Sequence, residues 1–533
     1  MSARVRARPP QEPVGPPPVL SEAGEVATYL FDASRLPGGS TPRVYLPRSE
    51  GELAWVLRNE PRVLAAGAQS SLTGGSTPRG EALLSLARMD RIVEIADRRA
   101  VVEAGVTLMA LEEALAARQL AYPPVPTFTG ATVGGAASTN AAGAATWKYG
   151  TTREWVEGLT VLLASGHALD LRRGQVRAGG AQWFEVELPD GRELRVPVPA
   201  YRLPDVPKCS AGYHAGPDLD LIDLFLGAEG TLGVITRVEL RLIADPPQLL
   251  LVLVPCPSEA AALELTGALR EASRATWAAR DPRGIDVRAI ESADRRSLEL
   301  LREEGQDRAC AVDPPAGTDT LLWIQLEVAR GLDVQAELEA AAGGDAPDGP
   351  LARFLGLLGA RGLLDGVELA LPDDRARRAQ LFQLREAVPV AVNHRVQAAQ
   401  REVDPAIHKV AGDMIVPFAR FPELMRRYRE VLGGAGLDHA IWGHVSDGNV
   451  HPNVLPRSRQ ELERGKAAML ELGREVVAMG GSPLSEHGAG RNPAKQALLR
   501  LLHGEEGIAQ MRAVKRALDP EWKLAPGVLF PPA

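Results

Sequence analysis

Thr129-Gly130-Ala131-Thr132-Val133-Gly134-Gly135-Ala136-Ala137-Ser138-Thr139-Asn140-Ala141-Ala142-Gly143 is built almost wholly of small side chains. Such a run suits neither a packed strand nor an ordinary helix; it suits backbone pressed against a large flat ligand. A second glycine-rich stretch, Gly67-Ala68-Gln69-Ser70-Ser71-Leu72-Thr73-Gly74-Gly75, follows Val63-Leu64-Ala65-Ala66, which reads as a buried strand. Its glycines and hydroxyls can aim several backbone N–H groups at an anion. It holds neither G-x-G-x-x-G nor G-x-x-x-x-G-K-[ST], so no Rossmann fingerprint and no P-loop is written here, and alone it also fits a solvated glycine–serine loop. A third stretch, Gly227-Ala228-Glu229-Gly230-Thr231-Leu232-Gly233-Val234-Ile235-Thr236, again joins glycines to a strand.

Around these loops, short apolar runs alternate with helical stretches from Val44 to about residue 245, which predicts an α/β or α+β domain. Ser49 is placed to cap a helix entered through Pro47–Leu53. Val101–Val106 reads as a strand, and Leu108–Leu120, with Leu108, Leu111, Leu115 and Ala116 on one face, as a helix. Pro246-Pro247 breaks the pattern. Beyond it the periodicities predict strands at Leu249–Val254 and Leu321–Val328 and helices at Ala260–Ala272, Arg375–Arg395 and Phe421–Leu432. A surface loop is expected at 343–350. From about Leu484 a polar loop and helices run to Leu518-Asp519-Pro520.

A chain of 533 residues calls for two or three domains. Its 45% apolar and 24% charged residues are those of a globular protein, and a net charge of -8 gives no electrostatic reason to expect nucleic acid or an acidic membrane. Cys209, Cys256 and Cys310 stand alone, which argues against a disulfide framework, a cysteine zinc site and an iron–sulfur cluster and fits a reducing compartment. No apolar run approaches the ~20 residues of a spanning helix, so no transmembrane segment is expected and the location is read as cytoplasmic. The first twenty residues, with Arg4, Arg6, Arg8 and six prolines, read as a disordered tail rather than an import signal.

Near the end of the chain lie Gly443-His444-Val445-Ser446-Asp447-Gly448-Asn449-Val450-His451 and Ser485-Glu486-His487-Gly488-Ala489-Gly490, which together hold three of the nine histidines. Gly443, Gly448 and Asn449 favour a strand–turn over a helix. Two imidazoles and a carboxylate, His444, His451 and Glu486, suit a divalent metal with open positions. The same residues also fit two hydrogen-bonded histidines in a glycine-rich turn.

The three glycine loops, in this order and spacing, resemble the flavin-binding domain of FAD oxidoreductases of the vanillyl-alcohol oxidase type. The C-terminal clusters narrow the resemblance to the branch of glycolate oxidase subunits, FAD-linked D-lactate dehydrogenases and D-2-hydroxyglutarate dehydrogenases, over about residues 40–530. It implies an α+β chain: a two-subdomain FAD-binding domain at 21–245, an α+β cap domain with an antiparallel sheet at 246–483, and a segment at 484–533 returning to the active site. It implies that Gly67, Ala68, Gln69, Ser70, Ser71, Leu72 and Gly74 hold the FAD pyrophosphate. Gly134, Gly135, Thr139, Asn140 and Gly143 would line the flavin, and Glu229, Gly230, Thr231, Gly233 and Ile235 would lie near the adenosine half. Two motifs depart from the family. Ala68 and Gln69 stand where glycine is common, and the closing motif lacks its asparagine and lysine. The first loop has no histidine for a covalent flavin bond, so FAD is expected to be dissociable.

Relatives in that branch bind zinc or manganese through two such histidines and a glutamate, which maps the metal onto His444, His451 and Glu486. His487 is the expected base for the substrate hydroxyl; capping a helix or ligating the metal is its alternative. Arg385 matches a family arginine that holds the substrate carboxylate, against the alternative of an exposed helix arginine in an i, i+4 ion pair. Lys409 is a weaker candidate, because relatives place a lysine closer to the aspartate of this stretch. Asn449 is expected to face flavin or substrate; His394, His408 and His439 are read as structural. The implied activity is oxidation of a small D-2-hydroxy acid, D-lactate-like, to the 2-oxo acid by hydride transfer to FAD. Electrons would pass to a separate acceptor: a quinone, a cytochrome, an electron-transfer flavoprotein or oxygen. The rival readings are a non-redox FAD enzyme of the ether-lipid synthase type, a metal-dependent hydrolase, and an inactive FAD-binding scaffold.

Overall fold

Val63–Ala66, as the apolar pattern predicts, is a buried strand, and it pairs in parallel with Ala82–Ser85. The computed structural model describes residues 3–11, 14–124, 126–343 and 348–531, so residues 344–347 of the expected surface loop lie outside the described residues. The chain divides into two units, Met1–Gly143 with Gly150–Ala244 and Ser482–Ala533, and Ala144–Tyr149 with Asp245–Gly481.

The first unit holds two sheets that matter for the glycine loops. One has the strand order Val19–Leu20, Val44–Tyr45, Ala82–Ser85, Val63–Ala66. Its helix Glu50–Asn59 starts where Ser49 accepts a hydrogen bond from the Glu52 N–H. The other is antiparallel, in the order Ala168–Arg172, Val156–Leu162, Val234–Arg241, Arg99–Glu103, Ile92–Ala96. The helix expected at Leu108–Leu120 stops at Ala116. Gln119 turns into the left-handed region (φ 57°), and Leu120–Ala121 pairs with Ile243–Ala244 instead. A distant strand thus outcompetes the last helical turn.

Of the first twenty residues, the described ones, 3–11 and 14–20, are not the disordered tail that their composition suggests. Arg4–Arg6 pairs in parallel with Trp183–Glu187, and Val19–Leu20 joins the parallel sheet's edge. Arg6 pairs with Glu187 at 2.8 Å, and the Arg8 guanidinium holds the buried Glu50 at 2.8 Å. The basic residues are matched by acidic ones over a hundred positions away or on another element, a pairing that local composition cannot reveal.

The second unit is a single antiparallel sheet covered on both faces. Its order is Glu368–Ala370, Gln248–Cys256, Thr320–Val328, Val287–Ala293, His439–His444, Asn449–Val454, Val410–Ala411, with Met414–Ile415 also on Asn449–Val454. Successive strand residues point to opposite faces, and here both faces are cores. Leu250, Val252 and Val254 pack with helices Glu259–Ala279, Phe421–Gly434 and Arg459–Ala478. Leu251 and Leu253 pack with Arg295–Glu303 and Arg375–Glu402. That explains the unbroken apolar run from Leu249 to Val254: a strand buried on both sides has no polar face. Ala144–Tyr149 belongs to this unit, against the expected boundary at 245. Lys148 reaches Asp286 at 2.6 Å and Glu327 at 2.5 Å, and the Tyr149 hydroxyl donates to Glu327. Among the described residues no helix is long and apolar enough to cross a membrane.

Candidate functional site

The three glycine loops meet in the first unit around a cleft. Backbone hydrogen bonds tie the second loop to the strand end at Ala104 and to the third loop. Gly134 N–H donates to the Ala104 carbonyl at 2.8 Å, Gly227 N–H to Ala137 at 3.0 Å, and Glu229 N–H to Ser138 at 2.7 Å. Thr132 caps the short helix Val133–Thr139 by accepting from Gly135 N–H, and Asn140 ends it in the left-handed region (φ 48°).

Gly67, Ser71, Gly134, Gly135, Thr139, Glu229, Gly230, Gly233 and Ile235 line the cleft, joined by Ala65, Ala66, Thr132, Ser138 and Val234, which local sequence did not single out. The remaining expected residues, Ala68, Gln69, Ser70, Leu72, Gly74, Asn140, Gly143 and Thr231, are not among its lining. Asn140 uses its carboxamide oxygen within the fold, accepting from Thr151 at 3.0 Å and Arg153 N–H at 2.9 Å. Thr231 is buried against Tyr213, and its carbonyl accepts from the buried Lys515 at 2.6 Å.

Small residues serve two purposes here. A Cβ on Gly134 would lie 2.5 Å from that of Ala104, one on Gly67 would strike Thr132, and one on Gly233 would strike Val161. Those glycines are demanded by the unit's own packing. A Cβ on Gly230 would meet nothing within 4 Å, so space, not packing, surrounds it. Gln69, which stands where glycine is common, takes φ 52° and recovers the strain by donating its side-chain amide to the carbonyls of Tyr29 (3.0 Å) and Phe31 (2.9 Å). Among the described residues no protein acceptor is recorded for the N–H groups of Gln69, Ser70 and Leu72. Such a turn of open amides, beside a cleft lined by backbone and small side chains, fits a dinucleotide carrying a pyrophosphate.

In this unit Glu486 is buried and ion-paired with Lys208, whose side chain is wholly buried. His487 places Nε2 at 3.9 Å from the Glu486 carboxylate, with its side chain 30% exposed. Lys208 lies in an irregular loop with no periodic or motif signal, and only the tertiary structure brings it to Glu486.

In the second unit His439–His444 and Asn449–Val454 form a hairpin that carries His444 and His451. Both imidazoles are buried, with ring centroids 5.8 Å apart and planes nearly perpendicular. A Cβ on Gly443 would lie 2.8 Å from the Val450 Cα and 3.1 Å from the His451 ring, so only glycine lets the strands close here. His444 Nδ1 lies 3.6 Å from Glu291, and His451 Nδ1 lies 3.8 Å from Asp413. Both distances exceed a hydrogen bond, so each carboxylate acts on its imidazole through charge alone, which favours a cation beside the ring. The two rings therefore suit metal ligation.

Arg385 is not an exposed helix arginine with an i, i+4 partner. It is buried and donates its Nε to the buried Glu291. Glu291 thus stands beside both Arg385 and His444. Lys409 is half-buried, and burial pushes its ammonium down to about 8. Asn449 donates to the Met414 carbonyl at 2.9 Å, inside the sheet. His394, His408 and His439 make peripheral contacts: His394 meets Glu304, and the other two meet backbone carbonyls.

Residues 42–172 match the family described as FAD binding domain, and residues 257–529 match FAD linked oxidases, C-terminal domain. A D-2-hydroxyglutarate dehydrogenase of Xanthomonas citri pv. viticola is 28% identical over 524 residues, 96% of this chain and 93% of that protein. The glycolate oxidase subunit GlcD of Bacillus subtilis is 28% identical over 523 residues, again 96% of this chain and 93% of the relative. The solved structure of 4-ethylphenol oxidase from Gulosibacter chungangensis superposes with a TM-score of 0.62 at 17% identity, covering 96% of this chain and 94% of that one.

Proposed function

The chain belongs to the FAD-linked oxidases, built on the α+β fold of the vanillyl-alcohol oxidase type, and from that membership we propose that it oxidises a D-2-hydroxy acid to the 2-oxo acid. The observation that carries the proposal is the second unit's hairpin, which buries two imidazoles, each backed by a carboxylate, on a strand pair beside a buried arginine. Relatives named for 2-hydroxy acids support the substrate class.

Residues of the first unit's cleft would hold FAD without a covalent bond, and FAD when bound supplies the two-electron acceptor for the substrate's α-hydrogen. His444 and His451, with Glu486 taken from the sequence motif, would hold zinc or manganese, which supplies a Lewis acid for the hydroxyl oxygen. Arg385, oriented through its Nε by Glu291, would present its remaining guanidinium nitrogens to the substrate carboxylate; a planar fork suits that group better than a lysine does. His487, partly exposed, would take the hydroxyl proton on an imidazole nitrogen. Turnover would require a separate electron acceptor.

The test is the anaerobic visible spectrum of the metal-replete protein before and after D-lactate, D-2-hydroxyglutarate or glycolate. Bleaching of a yellow protein by one of them is the expected result. A flavin that none of them bleaches removes the substrate class.

A further inference from the structure

Glu229 is the one ionisable residue lining the cofactor cleft among the described residues, yet its carboxylate is turned to another task. One oxygen accepts the Ala489 N–H at 2.9 Å and the other accepts the Gly490 N–H at 2.9 Å. Those two amides directly follow Glu486, His487 and Gly488. Gly488 takes φ 72°, and a Cβ there would come within 2.6 Å of the Glu229 carboxylate. A Cβ on Gly490 would strike Thr73 of the first glycine loop. Thr73 also accepts the Arg491 N–H at 2.9 Å and donates its hydroxyl to the His487 carbonyl at 3.4 Å. Glu229 itself stands in the left-handed region (φ 51°), with its N–H fixed on Ser138. Every bond named here lies within the first unit.

We propose that Glu229 is a positioning residue: its carboxylate fixes the turn after His487 and so sets the direction in which the Glu486 and His487 side chains leave the backbone. This rests on the roles given to those two side chains above. A carboxylate suits the task because it offers two equivalent acceptors for two successive N–H donors. A glutamine offers one acceptor, and its amide hydrogens would face the second N–H. Thr73 holds the two ends of the turn, and the Glu229 carboxylate holds the two amides between them. The E-G-x-x-G stretch and the E-H-G-x-G stretch, far apart in the chain, are thereby one device.

The test compares wild type, Glu229→Gln, His487→Ala and the double variant as FAD- and metal-loaded full chains. Amide exchange at Ala489 and Gly490 should quicken about tenfold or more in Glu229→Gln, because one donor loses its acceptor. The limiting rate of flavin reduction should fall about 10–100-fold, the size of effect that a small misplacement of a reacting group produces. Rates are taken per bound FAD, because Glu229 also lines the cleft. In the His487→Ala background, Glu229→Gln should cost clearly less than it does in wild type, since the part of its effect that acts through that imidazole is already gone. Unchanged amide exchange overturns the proposal, and so does a full further loss in the double variant. If His487→Ala reduces flavin at the wild-type rate, the base assignment fails, and amide exchange alone then decides whether Glu229 holds the turn. Should Glu229→Gln not fold, Glu229→Asp serves: it keeps both oxygens but is one methylene shorter, and the same outcomes apply.

Discussion

The cleft of the first unit and the hairpin of the second are built from opposite materials. The cleft is lined chiefly by glycine, alanine, serine and threonine, with Leu86, Val234 and Ile235 beside them and Glu229 as the one ionisable residue among the described residues. The hairpin and its turn bury His444, Ser446, Asp447, Asn449, His451 and Asn453 in close succession. Burying polar groups is costly unless they are paired, so a fold that concentrates them keeps them for chemistry. A flat, extended ligand is recognised by removing atoms from its path and aiming amides at its charges. A reacting centre needs ionisable side chains held dry. On the proposed function, the contrast separates binding from reaction within one chain.

That contrast can be attacked from either side. On the reacting side, His487→Ala should keep FAD but slow flavin reduction by about 10²–10⁴-fold, measured by stopped-flow bleaching; wild-type rates would remove the base. Asp413→Asn takes away the carboxylate behind His451. Zinc or manganese affinity should fall about 10–100-fold by chelator competition, with the flavin spectrum unmoved; equal affinity in both proteins would detach Asp413 from metal binding. On the binding side, Gly134→Ala forces a Cβ onto Ala104 and should cost about 1–3 kcal/mol of stability, read by denaturant unfolding without FAD. A loss seen only with FAD present would mean that the glycine serves the ligand and not the packing.

The smallest effect concerns pH. Burial pushes the Glu229 carboxyl up to about 7, although the two backbone N–H groups it accepts pull the other way. A carboxyl raised in the folded state contributes stability that is full below its unfolded value and is lost as pH rises toward 7. Glu229→Gln does not titrate. The melting temperature of wild type minus that of Glu229→Gln should therefore shrink between pH 5 and pH 7.5. Parallel curves would show that the group does not titrate there.

Local turns and strand ends of the first unit were readable one residue at a time. Ser49 caps its helix through a bond three residues away, and the loop after Val63–Ala66 begins where an apolar run ends. Such signals are local, and a linear pattern carries them. The reason for Gly134 was readable only in part: its sequence suggests ligand contact, whereas Ala104, on a neighbouring element, already forbids a side chain there. Arg385 shows the same limit. Its helical setting alone also fits a solvent-exposed ion pair, whereas in the fold it is buried and bonded to Glu291, 94 positions away.

Sequence alone therefore established the kind of protein: three glycine loops in order, two histidine clusters, and a break near residue 245. Residue type and short-range spacing suffice for these because the chemistry of glycine, imidazole and carboxylate is intrinsic. The anchoring of the first twenty residues, the Lys208–Glu486 pair, the carboxylates behind His444 and His451, and the grip of Glu229 on Ala489 and Gly490 came only with the fold. Each joins groups distant in the chain, and a hydrogen bond or ion pair exists only at distances that folding, not sequence order, sets.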